Sequence, residues 1–154
     1  DAVLAGLRAW RGQMSELHIV IVEGNHDRHA GIGMLADDED LRLRIVEEPY
    51  ALGPFAFTHH PADKPRADGA YTLCGHIHPC VMLKSSVDRL RVPCFVFGAR
   101  AGVMPAFGAF TGGHVISPSE GESVYAVVDT KVLKIPAAQN RQIKQFISQK
   151  SEKL

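Results

Sequence analysis

The stretch His18-Ile-Val-Ile-Val-Glu-Gly-Asn-His-Asp-Arg28, HIVIVEGNHDR, decides how the rest of the chain is read. Its first half is apolar on both faces, which reads as a buried strand in a sheet covered on both sides. Its second half packs Gly24, Asn25, His26 and Asp27 into the turn that leaves the strand. One polar residue would serve a turn. Four in a row, some able to bind a metal or move a proton, mark a site. Gly24 lets the backbone turn tightly and come close to an ion at Asn25.

Two further clusters repeat this context. Phe55-Ala-Phe-Thr58 runs into His59-His60-Pro61, and Tyr71-Thr-Leu-Cys74 runs into Gly75-His76-Ile77-His78-Pro79. Six of the eight histidines (His26, His29, His59, His60, His76, His78) therefore lie where an apolar run ends. Side chains at the ends of neighbouring strands converge at one edge of a sheet, where open α/β folds build their sites. A lone histidine would read as a core or surface residue; three clusters in one context read as a site. Neutral imidazole is the commonest protein metal ligand, and an Asn carbonyl oxygen completes a harder site. For both histidines of Gly75–His78 to serve such a site, the chain is expected to leave strand geometry there, and Gly75 and Pro79 suit a turn.

The remaining sequence sets limits. The 154 residues are enough for about one domain. Lys+Arg and Asp+Glu both number 17, so no global charge announces a polyanionic partner. No apolar run approaches the ~20 residues that span a bilayer, so no membrane partner is expected. Three scattered cysteines, Cys74, Cys80 and Cys94, fit a reducing compartment. Val3, Leu4, Leu7 and Trp10 are spaced as the apolar face of a helix. LRIVEE, FAFTHH, AYTLCG, VMLKSS, VPCFVFGA, SVYAVVD and KVLKIP read as strands, and residues 29–40 as a short irregular helix. The front is α/β and the back β-rich. Residues 1–136 form the domain. Residues 137–154 are a polar basic tail, either mobile or a marginal helix. Met104–Gly113, rich in Gly and Phe, reads equally as a loop lining a substrate groove or as core at Phe107 and Phe110. A zinc site at Cys74, His76, His78 and Cys80 is disfavoured, because no second Cys pair exists.

Gly24-Asn-His-Asp27, Thr58-His-His-Pro61 and Gly75-His-Ile-His78 resemble, in order and spacing, the calcineurin-like metallophosphoesterases. The family pattern runs D-x-H, G-D, G-N-H-D or G-N-H-E, a His after a strand, then G-H-x-H. TLCGHIHPCVML, DRLRVPCFVFG, MPAFGAFTGG and VLKIP further resemble the bacterial ligase-associated DNA-damage-response endonucleases. The resemblance implies a layered α/β sandwich of two mixed sheets. It implies two divalent ions, manganese first, with zinc or iron as alternatives. Asn25, His59 and His76 would bind the second ion and His78 the first. His26 would contact the phosphate or protonate the leaving oxygen, with Asp27 orienting its ring. It implies a phosphodiester substrate such as DNA, a functional link to a DNA ligase and helicase, and the bacterial cytoplasm as compartment.

The departure from the family is large. D-x-H and G-D should precede G-N-H-D, yet neither lies among the 23 residues before Gly24. Asp27-Arg28-His29 matches D-x-H in letters but lies inside the third motif. The chain is thus expected to be part of a metallophosphoesterase domain, incomplete at its N-terminal edge. By itself it is expected to be inactive, prone to self-association, and able to hold at most one weakly bound ion. Alternatives from other classes stay open: a cyclic-nucleotide or other small-molecule phosphodiesterase, a phosphomonoesterase, or a non-catalytic scaffold of the same fold. His29, His60 and His114 have no assigned role.

Overall fold

A computed structural model describes residues 2–30, 32–84, 89–108 and 111–136, without the side chains of residues 28–30 and 84. The polar tail and Phe110 lie outside the described residues. The chain runs α1 (Ala2–Gln13), β1 (Ile19–Val22), α2 (Asn25–Ala30), a 3-10 turn (Ile32–Leu35), β2 (Leu43–Val46), β3 (Tyr50–Leu52), β4 (Phe55–Thr58) and β5 (Tyr71–Cys74). It continues through β6 (Pro79–Lys84), β7 (Arg89–Phe97), β8 (Ala101–Val103), β9 (His114–Val115), β10 (Ser123–Val128) and β11 (Lys131–Ile135). The seven strands expected after HIVIV all form. The short strands β3, β8 and β9 were not legible, because two or three residues carry no period.

Two sheets result. β1 and β2 pair in parallel, with Ile19 opposite Leu43 and Val22 opposite Val46. The other nine strands form one mixed sheet in the order β11-β10-β7-β8-β5-β4-β3, with β6 and β9 joined to it through β7. The long strand β7 organises this sheet. Its first half pairs with β6, from Arg89 opposite Lys84 to Pro93 opposite Cys80. Its second half pairs with β10, from Cys94 opposite Ala126 to Phe97 opposite Ser123. Side chains alternate along a strand, so Val92, Cys94 and Val96 all face inward. They meet Val81, Val124, Ala126 and Ile135 in a continuous core, with Leu83, Val103, Ile116 and Val128 packed at its rim.

The front of the chain departs from its reading in two ways. β1 was expected to be buried on both faces, yet its four residues are half-buried. Among the described residues it pairs with β2 alone, and a two-stranded sheet covers little of either strand. Helix α1 forms as expected, but its stripe does not pack as expected. Leu4 and Leu7 are half-buried, while Val3 and Trp10 stay exposed at 78% and 44%. The residue it buries is Arg11, 3% exposed. The Arg11 guanidinium donates to the carbonyls of Leu41 and Leu17 at 2.8 Å each and to that of Met14. Buried charge is tolerated when hydrogen-bonded in this way. Arg8 adds an outer clamp, 2.7 Å from Asp38.

Val124→Ala removes two methyl groups from a fully buried site on β10. It should lower unfolding free energy by about 1.5–3 kcal/mol. Val132→Ala, on exposed β11, should stay within about 0.5 kcal/mol. Urea unfolding followed by circular dichroism distinguishes the two; equal effects would mean the core lies elsewhere.

Candidate metal centre

The end of β1 builds the first wall of the site. Glu23 N–H donates to Val46 carbonyl at 2.9 Å, extending the β1–β2 pairing one step. α2 then starts at Asn25, and Asp27 Oδ2 accepts the Gly24 N–H at 2.9 Å. This is one half of a capping box, in which an acidic residue in the first turn reaches back to the residue before the helix. Asp27 thereby fixes the turn that carries Asn25 and His26. His26 is exposed at this turn. Arg28 and His29 follow on α2.

Gly24 has a further role, different from the close approach to an ion expected of it. A Cβ built on Gly24 would lie 2.5 Å from His59 Nδ1 and 2.6 Å from His59 Cε1. The His59 ring rests on the bare Cα, and only glycine leaves room for it. With the ring seated there, His59 Nε2 lies 2.8 Å from Asn25 Oδ1.

The second wall is the end of β4, and it depends on a residue the sequence reading missed. Glu48 Oε2 accepts the backbone N–H groups of His59 at 2.6 Å and His60 at 3.0 Å. Glu48 Oε1 lies 2.8 Å from His60 Nδ1. Desolvation pushes the Glu48 carboxyl upward, but donors from the His60 ring and both backbone amides outweigh it and hold it below the usual value. A glutamate two residues past a strand has no periodicity to reveal it; only the fold brings it to His59.

The third wall is Gly75–His78. β5 stops at Cys74 and β6 begins at Pro79, and Gly75 N–H donates to His59 carbonyl at 3.2 Å. His76 and His78 both take left-handed conformations, with φ of 62° and 50°. The chain does leave strand geometry here, but the departure does not bring the two rings to one point as expected. In an extended strand the two rings would share one face, ~6.5–7 Å apart; here they go to different partners. His76 Nδ1 lies 2.9 Å from His59 Nε2. His78 Nδ1 lies 3.1 Å from the carbonyl oxygen of Thr111. A carbonyl only accepts, so Nδ1 carries the proton and His78 Nε2 keeps a lone pair for a ligand.

Asn25, His59 and His76 are therefore brought together, His78 has a separate setting against Thr111, and His26 is exposed on α2 next to Asn25. The set fits a divalent ion. A neutral imidazole Nε2 offers either one proton or one lone pair. His59 Nε2 faces both an amide oxygen at 2.8 Å and another imidazole nitrogen at 2.9 Å, and it can satisfy only one of them as a hydrogen bond. A cation would satisfy all three. Ligands at right angles about an ion, on bonds of about 2.1 Å, lie roughly 3.0 Å apart, close to both distances. Burial, with the neighbouring His60 and His76, pushes the His59 pKa down and favours the neutral form that binds metal.

The cysteines do not take part. Burial raises all three thiols, Cys94 to about 12, which disfavours the thiolate a metal needs. Cys74 Sγ lies 3.5 Å from Gly102 carbonyl. Among the described residues, His59, His60 and His76 are the His, Cys, Asp or Glu side chains close enough to share an ion. In the Met104–Gly113 segment Phe107 is fully exposed, so it is not core. His114 opens β9, its N–H donating to His78 carbonyl at 2.9 Å.

Gly24→Ala should displace His59 and weaken divalent-ion binding at least tenfold, with the far-ultraviolet spectrum unchanged; unchanged metal affinity would refute the contact. Glu48→Gln should cost about 1–2 kcal/mol at pH 7. Because the folded Glu48 pKa is lowered, its contribution exists above the ordinary carboxylate value and is lost as pH falls through the folded one. The gap between wild type and variant in urea melts should therefore close on acidification.

The architecture is that of the calcineurin-like α/β fold. The nuclease MPE of Pseudomonas putida superposes on the chain with a TM-score of 0.70 at 36% sequence identity. The match covers 87% of this chain and 62% of the nuclease, so the chain spans less than two thirds of that protein. No family model and no curated protein matches the sequence. No helix among the described residues is long and apolar enough to cross a membrane. The chain is thus similar in both fold and sequence to a nuclease, which supports the metallophosphoesterase resemblance carried by its three motifs.

Proposed function

We propose that this chain carries part of a two-metal phosphoesterase site, and that the whole protein hydrolyses phosphodiester bonds as a DNA-repair endonuclease. The observation that carries the reading is the convergence of Asn25 Oδ1, His59 Nε2 and His76 Nδ1 at 2.8 and 2.9 Å. The likeness to a nuclease supports the reaction class. The N- and O-donor set suits manganese, with zinc or iron as alternatives.

Bound divalent ions would neutralise the phosphodiester and make water nucleophilic near neutral pH. Asn25, His59 and His76 would hold one ion. His78, its tautomer set by the Thr111 carbonyl, would supply one ligand to the other. One imidazole holds an ion weakly, so that second set would need further ligands of the kind that D-x-H and G-D supply. On this reading the chain alone is inactive and holds one ion. His26, exposed on the same turn as Asn25, would serve as the acid for the leaving oxygen, and Asp27 keeps that turn in place. The resemblance adds a DNA ligase and helicase as functional partners in the bacterial cytoplasm, which co-purification from cells would check.

In the whole protein, His26→Ala should leave metal occupancy nearly intact and lower turnover roughly 10²–10⁴-fold. A nitrophenyl ester should lose less, because its leaving oxygen needs little protonation. Equal losses on good and poor leaving groups would make His26 a positioning residue, and full activity would overturn the site. Parallel assays on plasmid DNA, a cyclic nucleotide and a phosphomonoester decide the substrate class.

A further inference from the structure

Glu48 does more than brace a turn. One of its oxygens, Oε2, already accepts both backbone N–H groups of His59 and His60. The other, Oε1, is given to the His60 ring at 2.8 Å. A carboxylate accepts, so His60 Nδ1 carries a proton, and in the neutral ring that leaves the lone pair on Nε2. Metal-bound histidines are held in this way, the far nitrogen donating to a carboxylate that fixes both tautomer and ring direction. His60 also lies where such a ligand would lie. Its ring centre is 4.6 Å from those of both His59 and His76, which are 4.8 Å from each other. Three imidazoles bound to one ion at about 2.1 Å, at 90–109° to one another, would have ring centres roughly 4.5–5.2 Å apart. The potential ligand atoms of the three lie within 4.8 Å of one another. At those angles the bound nitrogens would lie about 3.0–3.4 Å apart, so closing the set takes a movement of about 1.5 Å. His60 is about half exposed, at 47% of its side chain, and has room for that shift.

We propose that His60, oriented by Glu48, is a further ligand of the ion held by Asn25, His59 and His76. This rests on the metal reading of the site given above, and it changes what that site is. Three imidazoles and one amide oxygen form a nitrogen-rich centre. Such a set favours borderline transition ions and disfavours Mg²⁺ and Ca²⁺, which take oxygen ligands. It also gives these residues four donors for one ion without help from His78.

The test is titration of the whole protein with Co²⁺, followed by visible absorption, and with Mn²⁺, followed by calorimetry, for wild type, His59→Ala, His60→Ala and Glu48→Gln. His60→Ala should weaken one ion by about 100-fold or more and alter the Co²⁺ spectrum of that site. Glu48→Gln should weaken the same ion by about 10–100-fold, the scale for a lost carboxylate behind a ligand. Mg²⁺ should compete poorly in wild type and better in His60→Ala. If His59→Ala loses the ion while His60→Ala and Glu48→Gln bind like wild type, His60 is not a ligand and the rest of the site stands. If His59→Ala also binds like wild type, the metal reading fails and takes this inference with it. Should His60→Ala not fold, Glu48→Gln decides: it keeps every proposed ligand, and wild-type affinity in it overturns the proposal.

Discussion

The His59 ring resting on the bare Cα of Gly24 is the contact on which the site depends. It is where the β1–β2 sheet meets the nine-stranded sheet, because Gly24 follows β1 and His59 follows β4. Each of the surrounding bonds fixes one side of that contact. Asp27 fixes Gly24 by accepting its N–H, and Glu48 fixes His59 by accepting its N–H. Glu48 follows β2, so it links the small sheet to the large one a second time. Packing this close leaves little slack, since a methyl group in place of a hydrogen already brings atoms to 2.5 Å.

The electrostatics follow from the same geometry. Three imidazoles within contact distance would repel one another if protonated, and burial adds to that penalty at His59. Burial therefore favours the neutral form at His59, the form that can offer a nitrogen lone pair to a cation. Glu48 and Asp27 supply negative charge nearby, and Glu48 directs it through His60 Nδ1. A cation at the centre would be attracted by the carboxylates behind the rings.

Much of this was legible in the sequence, for reasons that differ residue by residue. Asn25, His59 and His76 were found because each sits one to three residues past an apolar run, and strand ends meet at a sheet edge. The strands from β4 to β11 were found where they carried four or more residues of β-forming character. What was missed had no local signal. Glu48 acts across the fold on residues 11 and 12 positions away. Arg11 lies outside the expected apolar face, yet it is buried and donates to three carbonyls, while Val3 and Trp10 of that face remain exposed. A helical stripe states which residues could be buried; whether they are depends on what lies against the helix. His60 was visible as a histidine but not as a ligand, because its role rests on Glu48.

The left-handed histidines complete the argument. Non-glycine residues in that conformation cost on the order of 1–3 kcal/mol each, and they persist where the surroundings over-determine them. His76 and His78 are both in it, within one four-residue turn. Local bonds account for part of this: Ile77 N–H closes on Gly75 carbonyl at 2.7 Å, and His114 N–H holds His78 carbonyl at 2.9 Å. Glycine at either position would relieve the backbone, yet it would remove a ring whose nitrogen lies at the centre, in His76, or is set by Thr111, in His78. The turn therefore exchanges backbone stability for the placement of the two rings. An ion bound at His76 would return that free energy, because any species that binds the folded state and not the unfolded one stabilises it by mass action. Metal affinity and the stability of the Gly75–His78 turn would then be one coupled quantity, with the sheet edges on either side holding the turn in shape.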